Sequence, residues 1–486
     1  MSIYRTVDCE LISVNYSILF FLTFFFFTSC IHDPEVNYQG YPPEIGKIFI
    51  ERCATKGCHT TQSKSATAGL SLQSWEELFK GSRNGNSAVI PYRADLSFLT
   101  FFINTYNDLG PVIPPTMPLN QSPLNRQEVK TIMDWINSGA PANNGLISVT
   151  QRPEVTMYII NQGCGIVYIM DSQTGLTKRV IDCSDDPKTE SPHYIELSPD
   201  GNYFYICFFP GTALKKFDAQ TGAFIGSATL GPGAWSALQL SENGKIAFVT
   251  NWRESGEVAV VDVENMKLLL KYQGSGLLPY SHGLGMIGNY IYVTEQPGKI
   301  LHKINVTDLM NPEFEEIQLT DSANVHEIHF NATGTEYALS CNGLNEIWFY
   351  NASNDSLLAK VSTGFSPEEP HYAGDYLFVS CPNDNKTIPG KTGIVTILNG
   401  KTHTFIKNIH TGWQPHGLVP DVHNGRMWVI HRNVTTGGPA PHHSSGCKGK
   451  NGYMTAIDLK TLELIPGLKP EISVDPYFGA ITGHKH

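Results

Sequence analysis

From about residue 152 onward the chain repeats itself every forty to fifty residues, and no other feature narrows its fold as much. One unit runs His193-Tyr-Ile-Glu-Leu-Ser-Pro-Asp-Gly201, Tyr203-Phe-Tyr-Ile206, Leu214-Lys-Lys-Phe-Asp-Ala-Gln-Thr-Gly222 and then residues 223–230. This reads as a strand, an Asp-Gly turn, a second strand, a loop, a third strand ending in Asp-x-x-Thr-Gly, and a fourth strand. The turn returns as Glu242-Asn-Gly244, Ala332-Thr-Gly334 and His423-Asn-Gly425. The third strand returns as Val258-Ala-Val-Val-Asp262, Ile347-Trp-Phe-Tyr350, Ile394-Val-Thr-Ile397 and Met454-Thr-Ala-Ile-Asp458. Full units start near His193, Trp235, His282, His326, His371 and His416. A partial unit before them, carrying Met157-Tyr-Ile-Ile160 and Val167-Tyr-Ile-Met-Asp171, lacks its first strand. Tyr477-Phe-Gly-Ala-Ile-Thr482 can supply it, so residues 152–486 are predicted to be an all-β ring of seven blades, closed with no sheet edge left open.

The repeats resemble those of the Tyr-Val-Thr-Asn type of β-propeller, with Phe248-Val-Thr-Asn251 the nearest match. The resemblance covers about residues 152–484 and implies a fold, not an activity.

The chain begins with Arg5 upstream of an apolar run at residues 18–27, which ends in Thr28-Ser29-Cys30. That run is roughly half the length a membrane-spanning helix needs. Small residues directly before a Cys resemble the lipobox of bacterial lipoproteins, although Phe27 stands where Leu is usual. The resemblance implies a signal peptide over residues 1–29 and acylation of Cys30. It also implies export and a lipid anchor, on the periplasmic or outer face of the outer membrane. An ordinary signal peptide that holds a Cys is the alternative, and it too exports the chain. Outside the cytoplasm Cys164, Cys183, Cys207, Cys341, Cys381 and Cys447 can form disulfides, Cys341 with Cys381 on neighbouring blades among them. The net charge of −11 offers no basic surface, so nucleic acid is not an expected partner.

Between leader and repeats, residues 41–143 read as helical and carry Cys53-Ala-Thr-Lys-Gly-Cys58-His59. Covalent haem attachment needs two thiols for the two vinyl groups and a His directly after the second Cys to reach the iron. The spacing here, C-x4-C-H, is longer than the usual C-x-x-C-H. A Cys53–Cys58 disulfide or a zinc half-site is the alternative reading of the motif taken alone. Ala68-Gly-Leu-Ser-Leu72, Pro114-Pro-Thr-Met-Pro118 and Leu124-Asn-Arg-Gln-Glu-Val129 leading to Trp135 follow in order. Together they resemble the c-type cytochrome domains fused to other modules in exported bacterial proteins. The resemblance implies a small all-α domain with one haem c held through Cys53 and Cys58. His59 and Met117 would be the axial ligands, and electron transfer rather than O2 chemistry the outcome. Val129, Ile132, Met133 and Ile136 fall at helical spacing, and Trp135 is expected in the core with them.

Five of the six full units open with a histidine: His193, His282, His326, His371 and His416. The first strand of each blade lines the channel, so these side chains are expected to meet at one mouth. The loops after the second strands, with Cys207, Cys341, Cys381 and His431, and the long loop with His442, His443 and Cys447, are expected at the same mouth. Clustered neutral imidazoles suit copper, zinc or iron. The funnel is similar in kind to that of nitrous oxide reductases, which hold a histidine-bound copper cluster in a seven-bladed propeller. The copper-binding C-terminal module of those enzymes is missing here. Pro-His at this position also recurs in ordinary propellers, where it anchors a loop or binds water.

Two readings of function follow. In the first the chain is a redox protein, an oxidoreductase if the funnel holds a metal or cofactor, passing electrons between a partner protein and that site or between two partners. In the second the propeller is a platform for a ligand or partner and the haem a relay or sensor. A hydrolase or lactonase using a carboxylate-bound divalent cation is a third reading, and the His-rich funnel argues against it.

Overall fold

The computed structural model describes residues 37–150, 153–274, 277–320, 322–441, 447 and 449–483. The leader, Cys30, His442 and His443 lie outside the described residues. Tyr38–His486 forms one compact unit.

Its main body is a β-propeller of seven four-stranded antiparallel sheets. Blades 2 to 7 are each built in chain order, and their first strands are Pro192–Leu197, Trp235–Leu240, Ser281–Ile287, Val325–Phe330, Pro370–Ala373 and Pro415–Asp421. Blade 1 comprises Thr156–Asn161, Ile166–Asp171 and Thr177–Asp182, with Pro476–Ile481 as its innermost strand. The C-terminal strand pairs Met157 with Ile481 and Ile159 with Gly479, so the predicted closure is the one observed. Thr156 and Thr482 lock its end through Thr156 N–H to Thr482 Oγ1 (2.9 Å) and Thr482 N–H to Thr156 O (3.0 Å).

The strand pattern explains the ring. Second and third strands such as Tyr376–Cys381 and Ile394–Asn399 are buried almost throughout, because neighbouring blades cover both faces. Outer strands such as Glu313–Gln318 are mostly exposed. The Asp-x-x-Thr-Gly corners work locally. Asp218 Oδ1 accepts from the Thr221 N–H (2.7 Å), and Gly222 takes φ +73°, which a side chain would strain.

Residues 38–150 contain four short α-helices among the described residues: Pro43–Ile48, Trp75–Leu78, Phe98–Ile103 and Arg126–Asn137. The last has a complete capping box, with Glu128 N–H on Asn125 and the Asn125 N–H on Glu128. It buries Val129, Ile132, Trp135 and Ile136 against Tyr41, Phe49, Trp75 and Leu99. The segment does not form a separate all-α body, because it is joined to the propeller along residues 81–96. Ile90 and Leu96 enter the apolar seam between blades 1 and 7, beside Met157, Val180, Trp428 and Leu468. Ser87 Oγ accepts from the Thr177 N–H (2.9 Å) and donates to the Thr177 carbonyl (3.2 Å). Glu471 N–H donates to Asn86 Oδ1 (2.8 Å), Lys469 N–H to the Asn84 carbonyl (2.9 Å), and Arg93 pairs with Asp182 (3.1 Å). A Cβ on Gly85 would come within 2.7 Å of the Thr174 carbonyl, so the backbones touch there. The helical segment therefore plugs the seam at which the ring closes.

Among the described residues one disulfide forms, Cys164–Cys447. The expected Cys341–Cys381 pair does not form. Both thiols are free and buried inside their own blades, packed in separate parts of the core, as is Cys207. These cysteines and His431 end the second strands rather than standing in loops at the mouth. No helix among the described residues is long and apolar enough to cross a membrane.

Candidate functional sites

The helical segment places Cys53, Cys58 and His59 on one tight turn. Helix Pro43–Ile48 runs into the π-turn Phe49–Cys53. Cys58 N–H then bonds the Thr55 carbonyl (2.9 Å) and His59 N–H the Cys53 carbonyl (3.1 Å). Arg52 clamps this turn to the Arg126–Asn137 helix through Glu128 (3.0 and 2.9 Å). Both thiols are free, Cys53 buried and Cys58 half-buried. Burial pushes the Cys53 thiol up to about 12, with the Arg52 charge opposing. His59 Nδ1 lies 3.3 Å from the Leu70 carbonyl. A carbonyl only accepts, so Nδ1 carries the proton and Nε2 presents its lone pair. Burial holds the ring neutral, lowering its pKa. Met117 is half-buried against the same core, and its N–H donates to the Phe102 carbonyl (2.8 Å). Ile50, Leu70, Tyr106 and Leu109 are likewise only partly covered.

The channel mouth is organised by register. In four blades the residue after the innermost position donates its N–H to a Ser or Thr hydroxyl on the second strand. These bonds are Ala237 to Thr250 (3.0 Å), Gly283 to Thr294 (2.8 Å), Glu327 to Ser340 (2.9 Å) and Glu369 to Ser380 (3.2 Å). Ser236, His282, His326 and Glu368 therefore occupy equivalent places. Strand pairing adds His193, His416 and Tyr477. The mouth ring is thus Tyr477, His193, Ser236, His282, His326, Glu368 and His416.

His371, expected in this ring, is not a member. It matches His329, against which its ring lies tilted at a centroid distance of 4.5 Å, and it is buried farther down the strand, 5.7 Å from Phe478. Glu368 takes its place. The signal was present in the sequence, because His326-Glu-Ile-His329 before Ser340-Cys341 aligns with Glu368-Glu-Pro-His371 before Ser380-Cys381.

Side chains of the ring reach the next blade's backbone. Ser236 Oγ donates to the His282 carbonyl (3.1 Å), His282 Nδ1 to the His326 carbonyl (3.2 Å), and His416 Nδ1 to the Tyr477 carbonyl (3.2 Å). Those contacts fix the tautomers of His282 and His416. His193 Nδ1 takes a bond from the Gln162 amide (2.9 Å), and its Nε2 lies 3.4 Å from the Tyr477 hydroxyl. The ring members touch: His282 and His326 centroids lie 4.4 Å apart, His416 and Tyr477 4.0 Å, His193 and Tyr477 4.5 Å. His416 Nε2 is 3.6 Å from Glu368 Oε2. Burial first, and then the neighbouring charges, push His193, His326 and His416 well below the usual imidazole range. Burial raises Glu368 to about 7 against the pull of Arg432 and His282. Above the ring, Phe209 stacks on His193 (4.9 Å), and Arg432 lies over Tyr477 (4.7 Å) while chelating Asp475 (2.7 and 3.0 Å).

His431 lies apart from this ring, stacked on Tyr453 (4.6 Å) and bonded to Thr455 (2.9 Å). Burial drives its pKa down to about 3.

No family model matches this chain, and no curated protein matches it. Solved structures do resemble it. The periplasmic gluconolactonase of Pseudomonas aeruginosa matches with a TM-score of 0.53 at 15% identity, over 67% of this chain and 98% of that one. A Bacteroides uniformis protein provisionally designated a 6-phosphogluconolactonase matches with a TM-score of 0.53 at 16% identity, over 68% of this chain and all of that one. A Bacteroides fragilis protein with the same provisional designation gives a TM-score of 0.52 at 15% identity, over 68% and 98%. At such identities the likeness shows the propeller fold alone.

Proposed function

We propose that this chain is an exported, lipid-anchored electron-transfer protein that carries one haem c on its helical segment, with the propeller mouth as a separate site. The observation that carries this reading is the set of groups on the 53–59 turn. Two unpaired thiols stand on a closed loop beside an imidazole whose Nδ1–H is tied to the Leu70 carbonyl. A proximal haem ligand needs that tautomer, with a backbone acceptor fixing the ring and Nε2 left for the metal. The half-covered apolar residues Ile50, Leu70, Tyr106, Leu109 and Met117 fit the wall such a group would cover. Bound there, haem supplies a one-electron couple. The chain's own residues do the holding: Cys53 and Cys58 tether, His59 and Met117 ligate, and the Arg52–Glu128 clamp keeps the turn in place.

The packing favours electron exchange with partner proteins over direct transfer to the mouth. Residues 81–96 meet the outer strands of blades 1 and 7, and three strand spacings, about 14 Å, separate an outer strand from the channel. The names of the solved relatives raise sugar-lactone hydrolysis as a rival. The mouth ring is instead filled by its own side chains in mutual contact and rich in imidazole, which does not suit a carboxylate-bound hard cation.

The test is expression of the full chain with haem-maturation machinery, followed by denaturing electrophoresis with haem staining and a reduced-minus-oxidised spectrum. One covalent haem per chain, lost in Cys53→Ser/Cys58→Ser, is expected. A chain without covalent haem, or with Cys53 and Cys58 joined as a disulfide, refutes the reading. Cys30→Ala should release the protein from the membrane fraction, and unchanged fractionation would remove the lipid anchor.

A further inference from the structure

We infer that the channel mouth holds a transition-metal site in which His282, His326 and Glu327 bind one divalent first-row ion of the zinc or copper type. This inference does not depend on the haem proposed for the helical segment. One donor atom from each of the three residues falls within 4.8 Å of the others. Zinc sits about 2.0–2.2 Å from imidazole nitrogen and carboxylate oxygen, so its ligating atoms lie roughly 3–4 Å apart. Side-chain rotation brings these three to that spacing, with His282 ligating through Nε2 because the His326 carbonyl holds its Nδ1–H.

Three further observations point to a ligand. First, His326 is buried, and its Nδ1 has no hydrogen-bond partner among the described residues, whereas Ser236, His282 and His416 each bond the next blade's backbone. A buried ring nitrogen without a protein partner is open to an ion or a water, and at His326 it stands beside the other two donors. Second, Glu327 is already oriented, its Oε1 accepting from the Leu284 N–H (3.2 Å) while Oε2 faces His282. Third, the carboxylates of Glu327, Glu368 and Glu369 gather beside the ring, while Arg432 is engaged by Asp475. The space suits an ion better than an organic molecule, since the imidazoles of His282 and His326 are already 4.4 Å apart.

The donor set selects the metal. Two imidazoles and one carboxylate, with no thiolate, suit zinc or copper(II) over copper(I), calcium or magnesium. Glu368 and His416, 3.6 Å from each other, stand in the same ring, and His371 does not.

The test uses the full chain as expressed, with or without haem, stripped with chelator and titrated with Zn2+, Cu2+ or Ca2+ alone. One equivalent of Zn2+ or Cu2+ is expected, bound at least 100-fold more tightly than Ca2+. His282→Ala/His326→Ala should weaken that binding by at least 100-fold, and His371→Ala should leave it within threefold. Sub-stoichiometric binding, or binding that survives the double substitution, overturns the site. Should the double variant misfold, the Cu2+ form of the unaltered chain decides. Its paramagnetic resonance spectrum should show splitting from two imidazole nitrogens, and a spectrum without nitrogen coupling overturns the inference.

Discussion

If residues 81–96 are part of the propeller's closing seam, then a substitution in the helical segment must destabilise the propeller. Leu96 and Ile90 are 5% and 3% exposed and lie among Met157, Val180, Trp428 and Leu468 of blades 1 and 7. Truncating a buried Leu or Ile to Ala costs about 2–5 kcal/mol through lost transfer energy and the cavity left behind. With about 2.1 cal/mol/K of unfolding entropy per residue over some 450 residues, 3 kcal/mol lowers the Tm by about 3 °C. The pair touches the same cluster, so the double variant need not show the sum. The assay is calorimetry beside tryptophan fluorescence in a Trp75→Phe/Trp135→Phe background, where Trp235, Trp252, Trp348, Trp413 and Trp428 all report on the ring. One coincident transition that shifts down in Leu96→Ala is the expected result. Two transitions, with the fluorescence midpoint unmoved within about 1 °C, would show that the segment is an independent body and that the seam contacts do not couple it to the ring.

Replacing His431 tests burial directly. The native ring has a pKa of about 3 while the unfolded one has the ordinary 6.5, so below pH 6.5 the unfolded chain takes up a proton that the native one refuses. Stability is therefore lost as pH falls from 6.5 toward 3, by about 2 kcal/mol at pH 5, and urea midpoints of His431→Gln should lose that share of the acid slope. The Cys164–Cys447 bridge spans 283 residues, so Cys164→Ser should cost up to about 5 kcal/mol in urea unfolding, and an unchanged midpoint would show that the bridge constrains nothing. Met117→Ala in the haem-loaded chain should remove the sulfur ligand, lower the midpoint potential and open the iron to added imidazole. An unchanged potential would exclude Met117 as ligand.

The blade repeat was legible because a propeller writes its topology locally. Each unit carries its own turn chemistry, such as Asp218 with Gly222, and strands covered on both faces leave apolar runs such as residues 394–398. Closure by residues 476–481 could be read from a simple deficit, a first unit one strand short and a last segment with nothing else to pair. The Cys53–His59 turn was visible because its residues are contiguous. The seam was hidden, since Ile90 and Leu96 look like any apolar residues of a helical segment, and only the surface of blades 1 and 7 gives them partners. The Cys164–Cys447 pairing was equally out of reach, because it depends on which blades become neighbours when the ring shuts.

His371 was misplaced for a more specific reason, and it bears on how such rings should be read. Pro-His opens three units, at Pro192, Pro370 and Pro415, and in the first and last of them the histidine faces the mouth. In blade 6 the histidine of that dipeptide falls three residues past the mouth position held by Glu368, and it pairs with Phe378 lower in the sheet. What fixes depth is not the proline but the N–H that reaches the Ser or Thr hydroxyl of the second strand, since that bond is lost if the register slips by one residue. By that criterion the acidic Glu368 belongs at the mouth, and the ring becomes four imidazoles, a phenol, a hydroxyl and a carboxylate rather than a row of histidines. The carboxylate changes what the mouth can do. Beside His416 it supplies a group that titrates at about 7, whereas burial holds His193, His326 and His416 well below the usual imidazole range.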